Sequence, residues 1–328
     1  MKITMAHGSG GRATSRLIED IFARSFNNEV LSRMEDSAVV PGSGRIAVTT
    51  DSFVVNPVFF PGGDIGKLSV CGTVNDLLMS GAKPKYLTCG FIIEEGAESE
   101  DLEQIAASMA RTASEAGVTI VAGDTKVIEG NGGVYINTAG VGFVPDNVNI
   151  SASLCREGDA VLVSGFLGEH HAAILSARMG IENHIRSDCA PLGEMVHSMQ
   201  EAGVRVKAMR DVTRGGLATV LHEFAVSSDC CVELQESLLP VSPAVKGFCG
   251  LLGLDPLYMG NEGKMTAVVA GEDAELALEC MKKSCYGENA AVIGRISAKE
   301  KGKVLLTTPI GGTRIVPELV GEGLPRIC

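Results

Sequence analysis

An α+β fold in two domains is what this sequence predicts, on three observations. Its 328 residues exceed the ~100–200 usual for one domain. Strand-like and helix-like stretches mix irregularly, without the strict β-α alternation of one doubly wound parallel sheet. A polar, turn-forming stretch, Pro145 to Asp159, separates two such sets. Domains are expected over 1–150 (α+β) and 151–316 (α/β), with a mobile, glycine- and proline-containing tail over 317–328.

In the first half, His7-Gly8-Ser9-Gly10-Gly11 opens a helix over Arg12 to Phe26, where Leu17, Ile18, Ile21 and Phe22 recur at helical spacing. The loop lacks the Gly-Lys-Ser/Thr ending of a P-loop. Arg45 to Asp51 reads as a strand ending on an acid, and Ile65 to Met79 as a buried helix containing Asn75-Asp76. An acid between Val74 and Leu77 is costly to bury, so Asp76 faces a cleft, binds a ligand or lies on a solvated face. Strands are expected over Tyr86–Ile93, Val118–Ala122 and Val134–Val144. Ser99 is placed to cap a helix reaching Ala116, and Gly123-Asp124-Thr125-Lys126 to follow a strand as a loop.

The second half reads as strand 160–164, helices 169–179, 192–202 and 217–226, strand 232–234, helix 243–251, strand 265–270, helix 273–283 and strands 290–296 and 303–308.

A net charge of −12 and the absence of a basic stripe argue against nucleic-acid binding, whose affinity comes largely from clustered Lys and Arg. No stretch approaches the ~20 apolar residues of a membrane span, and no apolar leader precedes the polar loop at His7. A cytoplasmic location is expected. The ten cysteines lie mostly in apolar contexts without Cys-x-x-Cys, as buried free thiols do. Only Cys328, the last residue, falls outside an expected element. A thiol on a mobile arm can be loaded with a small group and presented to a site; a frayed end closing on cysteine is the alternative.

The acids Asp36, Asp51, Asp76, Asp124 and Asp211 recur in one kind of setting, most of them at the end of an apolar run. Magnesium takes hard oxygen ligands, usually one or two carboxylates completed by phosphate and water. These aspartates are therefore the candidate metal ligands for a nucleoside triphosphate, with Lys126 and glycine-loop amides balancing the remaining charge.

The order Thr-Asp, Asn-Asp, Gly-Asp-Thr and Asp-Val-Thr-Arg-Gly-Gly resembles the PurM superfamily of ATP-using enzymes. Within it, His7-Gly8-Ser9-Gly10-Gly11, Gly123-Asp124-Thr125-Lys126-Val127, Asn261-Glu262-Gly263-Lys264 and the ending Pro325-Arg326-Ile327-Cys328 resemble the HypE family of [NiFe]-hydrogenase maturation proteins. The resemblance spans nearly the whole chain. The selenophosphate synthetase branch carries a reactive cysteine or selenocysteine in its first glycine loop, whereas no cysteine precedes Cys71 here.

The resemblance implies a PurM-like N-terminal domain dimerising through its strands, a PurM-like C-terminal domain, and a cofactor pair of ATP and Mg2+. It implies a nucleotide site near the subunit interface drawing on Gly10, Gly11, Asp51, Asn75, Asp76, Asp124, Thr125, Lys126, Arg214 and Gly215. Cys328 would receive a carbamoyl group from a HypF-like carbamoyltransferase. ATP would drive its dehydration to a thiocyanate, and the cyanide would pass to iron on HypC- and HypD-like proteins. Cys328, Lys126 and Glu262 are then the catalytic candidates, Glu262 as base or as an ordinary loop carboxylate. A small-molecule kinase or synthetase, or a nucleotide-binding scaffold for metal-centre assembly, would share most of these motifs. The terminal carboxylate disfavours a Cys328 thiolate and Arg326 favours it. The segment from Pro317 to Cys328 spans at most roughly 40 Å at ~3.3 Å per residue, enough to reach a cleft of its own chain or of a partner.

Overall fold

The computed structural model describes residues 2–4, 7, 16–29, 42 and 44–319. Two sheets organise them. The first runs β1 (Ile46–Phe53), β6 (Val134–Phe143), β4 (Lys83–Glu94), β5 (Thr119–Ile128) in spatial order, antiparallel except for the β4–β5 pair. That parallel pair needs a crossover, supplied by α2 (Ser99–Glu115). A small hairpin, β2 (Phe59–Phe60) and β3 (Gly63–Asp64), leads into α1 (Ile65–Met79).

In α1, thirteen of the fifteen residues are buried; only Lys67 and Asp76 emerge part-way. Asp64 caps it, accepting the Lys67 N–H at 2.9 Å. Glycine lets neighbours close in: a Cβ on Gly66 would lie 2.4 Å from the Ile105 carbonyl oxygen of α2.

The second sheet contains β7 (Ala160–Val163), β8 (Val206–Asp211), β9 (Cys231–Gln235), β10 (Met265–Val269), β11 (Ala291–Ser297), β12 (Lys303–Thr307) and β13 (Thr313–Ile315). Their spatial order is β13-β12-β9-β11-β7-β10-β8, antiparallel except for β9 with β12. Every residue of β7 and β10 is buried, because both faces of the sheet are covered there. Leu162, Met265, Ala267 and Val269 join α4 (Gly193–Glu201) and α7 (Ala274–Lys283) in one core, whereas Val161, Val163 and Val268 pack with α5 (Gly216–Ser227) in another. The helices α3 (Glu169–Met179) and α6 (Pro243–Leu252) hold a third cluster. The first core continues through Leu68, Val74 and Met109, so apolar packing is unbroken from one half to the other.

The mixed α+β expectation holds, with corrections. Gly123 to Lys126 lie inside β5 rather than in a loop after it, because pairing with β4 continues through Gly90–Asp124 and Ile92–Lys126. Glu98, not Ser99, precedes α2, and the Ser99 hydroxyl bonds the Glu100 carboxylate instead. Strand β8 went unread because Lys207 and Arg210 interrupt its short run. In the expected first helix, Ile18–Ala23 is wound as a π-helix. Of the nine free cysteines among the described residues, eight are buried and Cys285 is exposed.

Replacing Gly66 by Ala separates propensity from packing. Helix propensity alone would stabilise by about 1 kcal/mol. The contact with Ile105 should reverse the sign and cost about 1–3 kcal/mol, measured by chemical denaturation.

Candidate active site at the junction of the two halves

Asp51 lies on the face of β1 that packs against α1: a Cβ on Gly72 would sit 3.5 Å from its Oδ2. One turn along α1, Asp76 emerges from the buried helix and accepts the Thr49 hydroxyl at 2.9 Å. Edge strand β8 packs on α1 and ends at Asp211. Sheet, helix and edge strand thus deliver one carboxylate each to the same opening.

Their titration reflects this closeness. Burial raises Asp51, against the Ser52 N–H and the Arg214 charge. Burial also raises Asp76, with the Asp51 charge adding to it. Asp211 is pushed up to about 7, first by burial and then by the charges of Asp76 and Asp51. Glu262 is raised well above the carboxylate range by burial, then by Cys189, Asp211, Asp188 and Asp51. Carboxylates that disfavour one another's ionisation form an electrostatically loaded site, which a cation would relieve. Among the described residues, no group of three or more His, Cys, Asp or Glu side chains is assembled as a protein-only cation site.

The loop after β8 and the loop before β10 are stitched together. Val212 N–H donates to the Lys264 carbonyl at 2.8 Å, and Asn261 donates to the Val212 carbonyl through its main chain at 2.9 Å and its Nδ2 at 3.0 Å. The Asn261 Oδ1 accepts the Gly168 N–H at 2.7 Å, at the start of α3. Gly215 (φ +82°) and Gly216 (φ +65°) adopt the left-handed backbone that turns the chain from Asp211 into α5, and a Cβ on Gly216 would lie 2.5 Å from the Leu257 carbonyl oxygen. That backbone favours glycine.

The structure thus gathers Asp51, Asp76, Asp211, Arg214, Gly215 and Glu262. It does not gather all the expected residues. Asp124 and Lys126 project from the opposite face of the first sheet: their register partners are Gly90 and Ile92, whereas Thr125 pairs with buried Phe91 and sits half-buried on the inner face. Asn75, expected at the nucleotide, is buried and its side chain is committed to backbone. Its Nδ2 donates to Ala190 O at 3.0 Å and Glu262 O at 3.4 Å, and its Oδ1 accepts Leu192 N–H at 3.0 Å. Gly10, Gly11, Asp36 and Cys328 lie outside the described residues.

Sequence reasoning missed a buried ionic group behind Glu262. Lys264 Nζ lies 3.6 Å from Asp188 Oδ2, with these side chains 9% and 0% exposed. Burial, then the Asp188 charge, raises the neighbouring Glu169, against Lys264. Asp188 stands at the edge of the apolar run Cys189-Ala190-Pro191-Leu192, the same setting that marked the other acids.

Two family models cover the chain: AIR synthase related protein, N-terminal domain, over residues 34–144, and its C-terminal domain over 156–307. Both halves therefore have the PurM-like architecture of AIR synthase related proteins. Carbamoyl dehydratase HypE of Rhodobacter capsulatus is 47% identical over all of this chain and 98% of its own length, and that of Escherichia coli K12 is 46% identical over 99% of both. A hydrogenase maturation protein HypE solved in complex with ATP superposes with a TM-score of 0.95 at 44% identity, over 99% of both chains. A HypE–HypF complex matches at a TM-score of 0.81 and 47% identity, over 92% of this chain and 99% of the other. A thiamine-monophosphate kinase from Stenotrophomonas maltophilia, 20% identical with a TM-score of 0.68, shares the fold alone. The chain belongs to the HypE family of carbamoyl dehydratases.

Beside the site, His170 is 1% exposed, with Nδ1 2.8 Å from the Ser187 hydroxyl. Burial holds its pKa down at about 4, against the Asp188 charge. A depressed pKa gives stability that is present above the unfolded value near 6.5 and lost as pH falls toward 4. His170→Asn should therefore lose less stability than the parent between pH 7 and pH 4, by about 3 kcal/mol, read from denaturation midpoints of both proteins.

Proposed function

We propose that this protein dehydrates a carbamoyl group carried as a thiocarbamate on Cys328, using ATP, to give a thiocyanate that supplies cyanide for the iron of a [NiFe]-hydrogenase. The observation that carries the reading is the meeting of Asp51, Asp76 and Asp211 with Glu262 at one opening, in a chain 44% identical to a HypE solved with ATP.

An amide does not readily lose water, because oxide is a poor leaving group. Attack of the carbamoyl oxygen on the γ-phosphorus breaks the bond to ADP and turns that oxygen into part of a phosphate ester. Loss of phosphate then forms the carbon–nitrogen triple bond. Both nitrogen protons leave over the two steps; one ends on phosphate and one is released. The products are thiocyanate, ADP and phosphate.

Asp51, Asp76 and Asp211 are the proposed cation ligands. Their donor oxygens are hard, and burial outweighs the local hydrogen bonds and arginine charges in raising all three, so together with a triphosphate they would fit Mg2+. The ion would supply charge neutralisation on the triphosphate. Arg214, whose charge acts on Asp51, is placed to meet an anion here. Glu262 is the proposed base: burial raises its pKa, which makes its ionised form a stronger acceptor for a nitrogen proton.

Asp124 and Lys126 need a second chain to take part. The outer face of the first sheet exposes Ile46 by 57%, Val48 by 66%, Ile92 by 43% and Ile128 by 38%, an apolar surface suited to a second copy. In such a homodimer Lys126 would serve the site of the facing subunit rather than its own. HypF-like carbamoyltransferase is the proposed donor to Cys328, in line with a solved HypE–HypF complex. HypC- and HypD-like proteins are the proposed acceptors of cyanide. Among the described residues no helix is long and apolar enough to cross a membrane, and cytoplasmic action is proposed.

Mass spectrometry of the C-terminal peptide after carbamoylation tests the reaction. Mg-ATP should remove one water from that peptide. Cys328→Ala should yield no modified peptide while still binding ATP. Glu262→Gln should slow the loss of water about 10²–10⁴-fold with ATP affinity retained. Unchanged turnover in Glu262→Gln would remove it as the base. Ile46→Lys together with Val48→Lys should convert a dimer to a monomer by light scattering; an unchanged mass would count against dimerisation through this face.

A further inference from the structure

Both peptide groups of Glu262 are held by side chains from outside its own loop. Its N–H donates to Asp188 Oδ1 at 3.1 Å, and its carbonyl accepts Asn75 Nδ2 at 3.4 Å. Asn75 is the residue immediately before Asp76 on α1.

These two grips belong to one device. Residues 187–192 lie between α3 and α4 without regular secondary structure, yet their backbone is tied to the first half. Ser187 N–H donates to Pro61 O at 2.7 Å, Ala190 O accepts from Asn75 at 3.0 Å, and Leu192 N–H donates to Asn75 Oδ1 at 3.0 Å. On its other side the segment presses on the Glu262 loop: a Cβ on Gly263 would lie 1.9 Å from the Asp188 carbonyl oxygen and 2.7 Å from the Ala190 nitrogen. Only glycine allows that approach. The Asp188 carboxylate is ion-paired with Lys264 at 3.6 Å, and the Lys264 Nζ donates to Gly263 O at 3.2 Å.

A buried ion pair is a weak source of net stability. What this one favours is a charged acceptor beside the Glu262 N–H, because the buried lysine charge attracts the Asp188 carboxylate, which is directed into this pocket of the fold.

We propose that Asp188 is a positioning residue that, through segment 187–192 and Asn75, holds Glu262 in register with Asp76 across the junction of the two halves. This rests on the role of Glu262 given above. Asn75 thereby acts as a strut rather than as a nucleotide ligand. Catalysis is sensitive to such register, since a displacement of about 1 Å can cost on the order of 10²-fold in rate.

Two charge-balanced pairs separate positioning from electrostatics and from folding. Lys264→Met with Asp188→Asn keeps an acceptor for the Glu262 N–H, whereas Lys264→Met with Asp188→Leu removes it. Single-turnover loss of water from the carbamoylated C-terminal peptide should stay within about threefold of the parent in the asparagine pair and fall about 10–100-fold in the leucine pair. ATP affinity should be equal in both. Should the leucine pair not fold, Asp188→Ala replaces it with the same expectation. Equal rates in the two pairs, whether both fast or both slow, would overturn the proposal. Hydrogen exchange at the Glu262 amide gives a readout independent of activity: it should be protected in the asparagine pair and accelerated in the other, and equal protection would likewise overturn the proposal. If the parent protein shows no ATP-dependent loss of water, the reading of the reaction fails while the exchange comparison still decides the strut.

Discussion

The burial of α1 is the constraint on which the rest of the structure depends. A helix with thirteen of fifteen residues inside the protein must be enclosed by the first sheet, by α2 and by elements of the second half. Its enclosure makes one apolar core out of both halves. Asp76 and Lys67 are its only partly exposed residues, so the helix has few places at which polar chemistry can emerge. Asp51 from β1 and Asp211 from β8 arrive at the Asp76 opening because those strands are the helix's neighbours. The acidic site follows from the packing of one helix.

Electrostatics and scaffold then divide the work. Burial raises Asp51, Asp76 and Asp211, and the charge of Asp51 adds to Asp76 and Asp211, which suits a site completed by a cation and phosphate. Behind them, the stitched loops around Val212 and Asn261, the left-handed turn at Gly215 and Gly216, and the Asp188–Lys264 pair are already bonded within the protein. Backbone and second-half side chains thus hold fixed what the acids use. Preorganisation of this kind lets a reaction proceed without rearranging the site as charge develops.

Much of this was legible in the sequence, for identifiable reasons. The helix at Ile65–Met79 and the buried strands β7 and β10 announce themselves because full burial demands continuous apolar runs. Asp51 and Asp211 stand at the ends of such runs, and Asp76 interrupts one within α1. Position along a strand was less legible. Gly123 to Lys126 look like a loop, but edge pairing with β4 carries the strand through them and points Asp124 and Lys126 away from the other acids. Asn75, which the family resemblance placed at the nucleotide, has its side chain bonded to Ala190, Leu192 and Glu262 backbone, contacts that no short-range sequence pattern announces. Asp188 was invisible in its role because its partners, Glu262 and Lys264, lie more than 70 residues away in the chain.

The central claim is that the carbamoyl oxygen leaves as part of phosphate rather than as water. Loading Cys328 with an 18O-labelled carbamoyl group and adding Mg-ATP tests it directly, with the products read by mass spectrometry. One labelled oxygen should appear in inorganic phosphate for each thiocyanate formed. Thiocyanate formation with the label in bulk water, and unlabelled phosphate, would contradict the account.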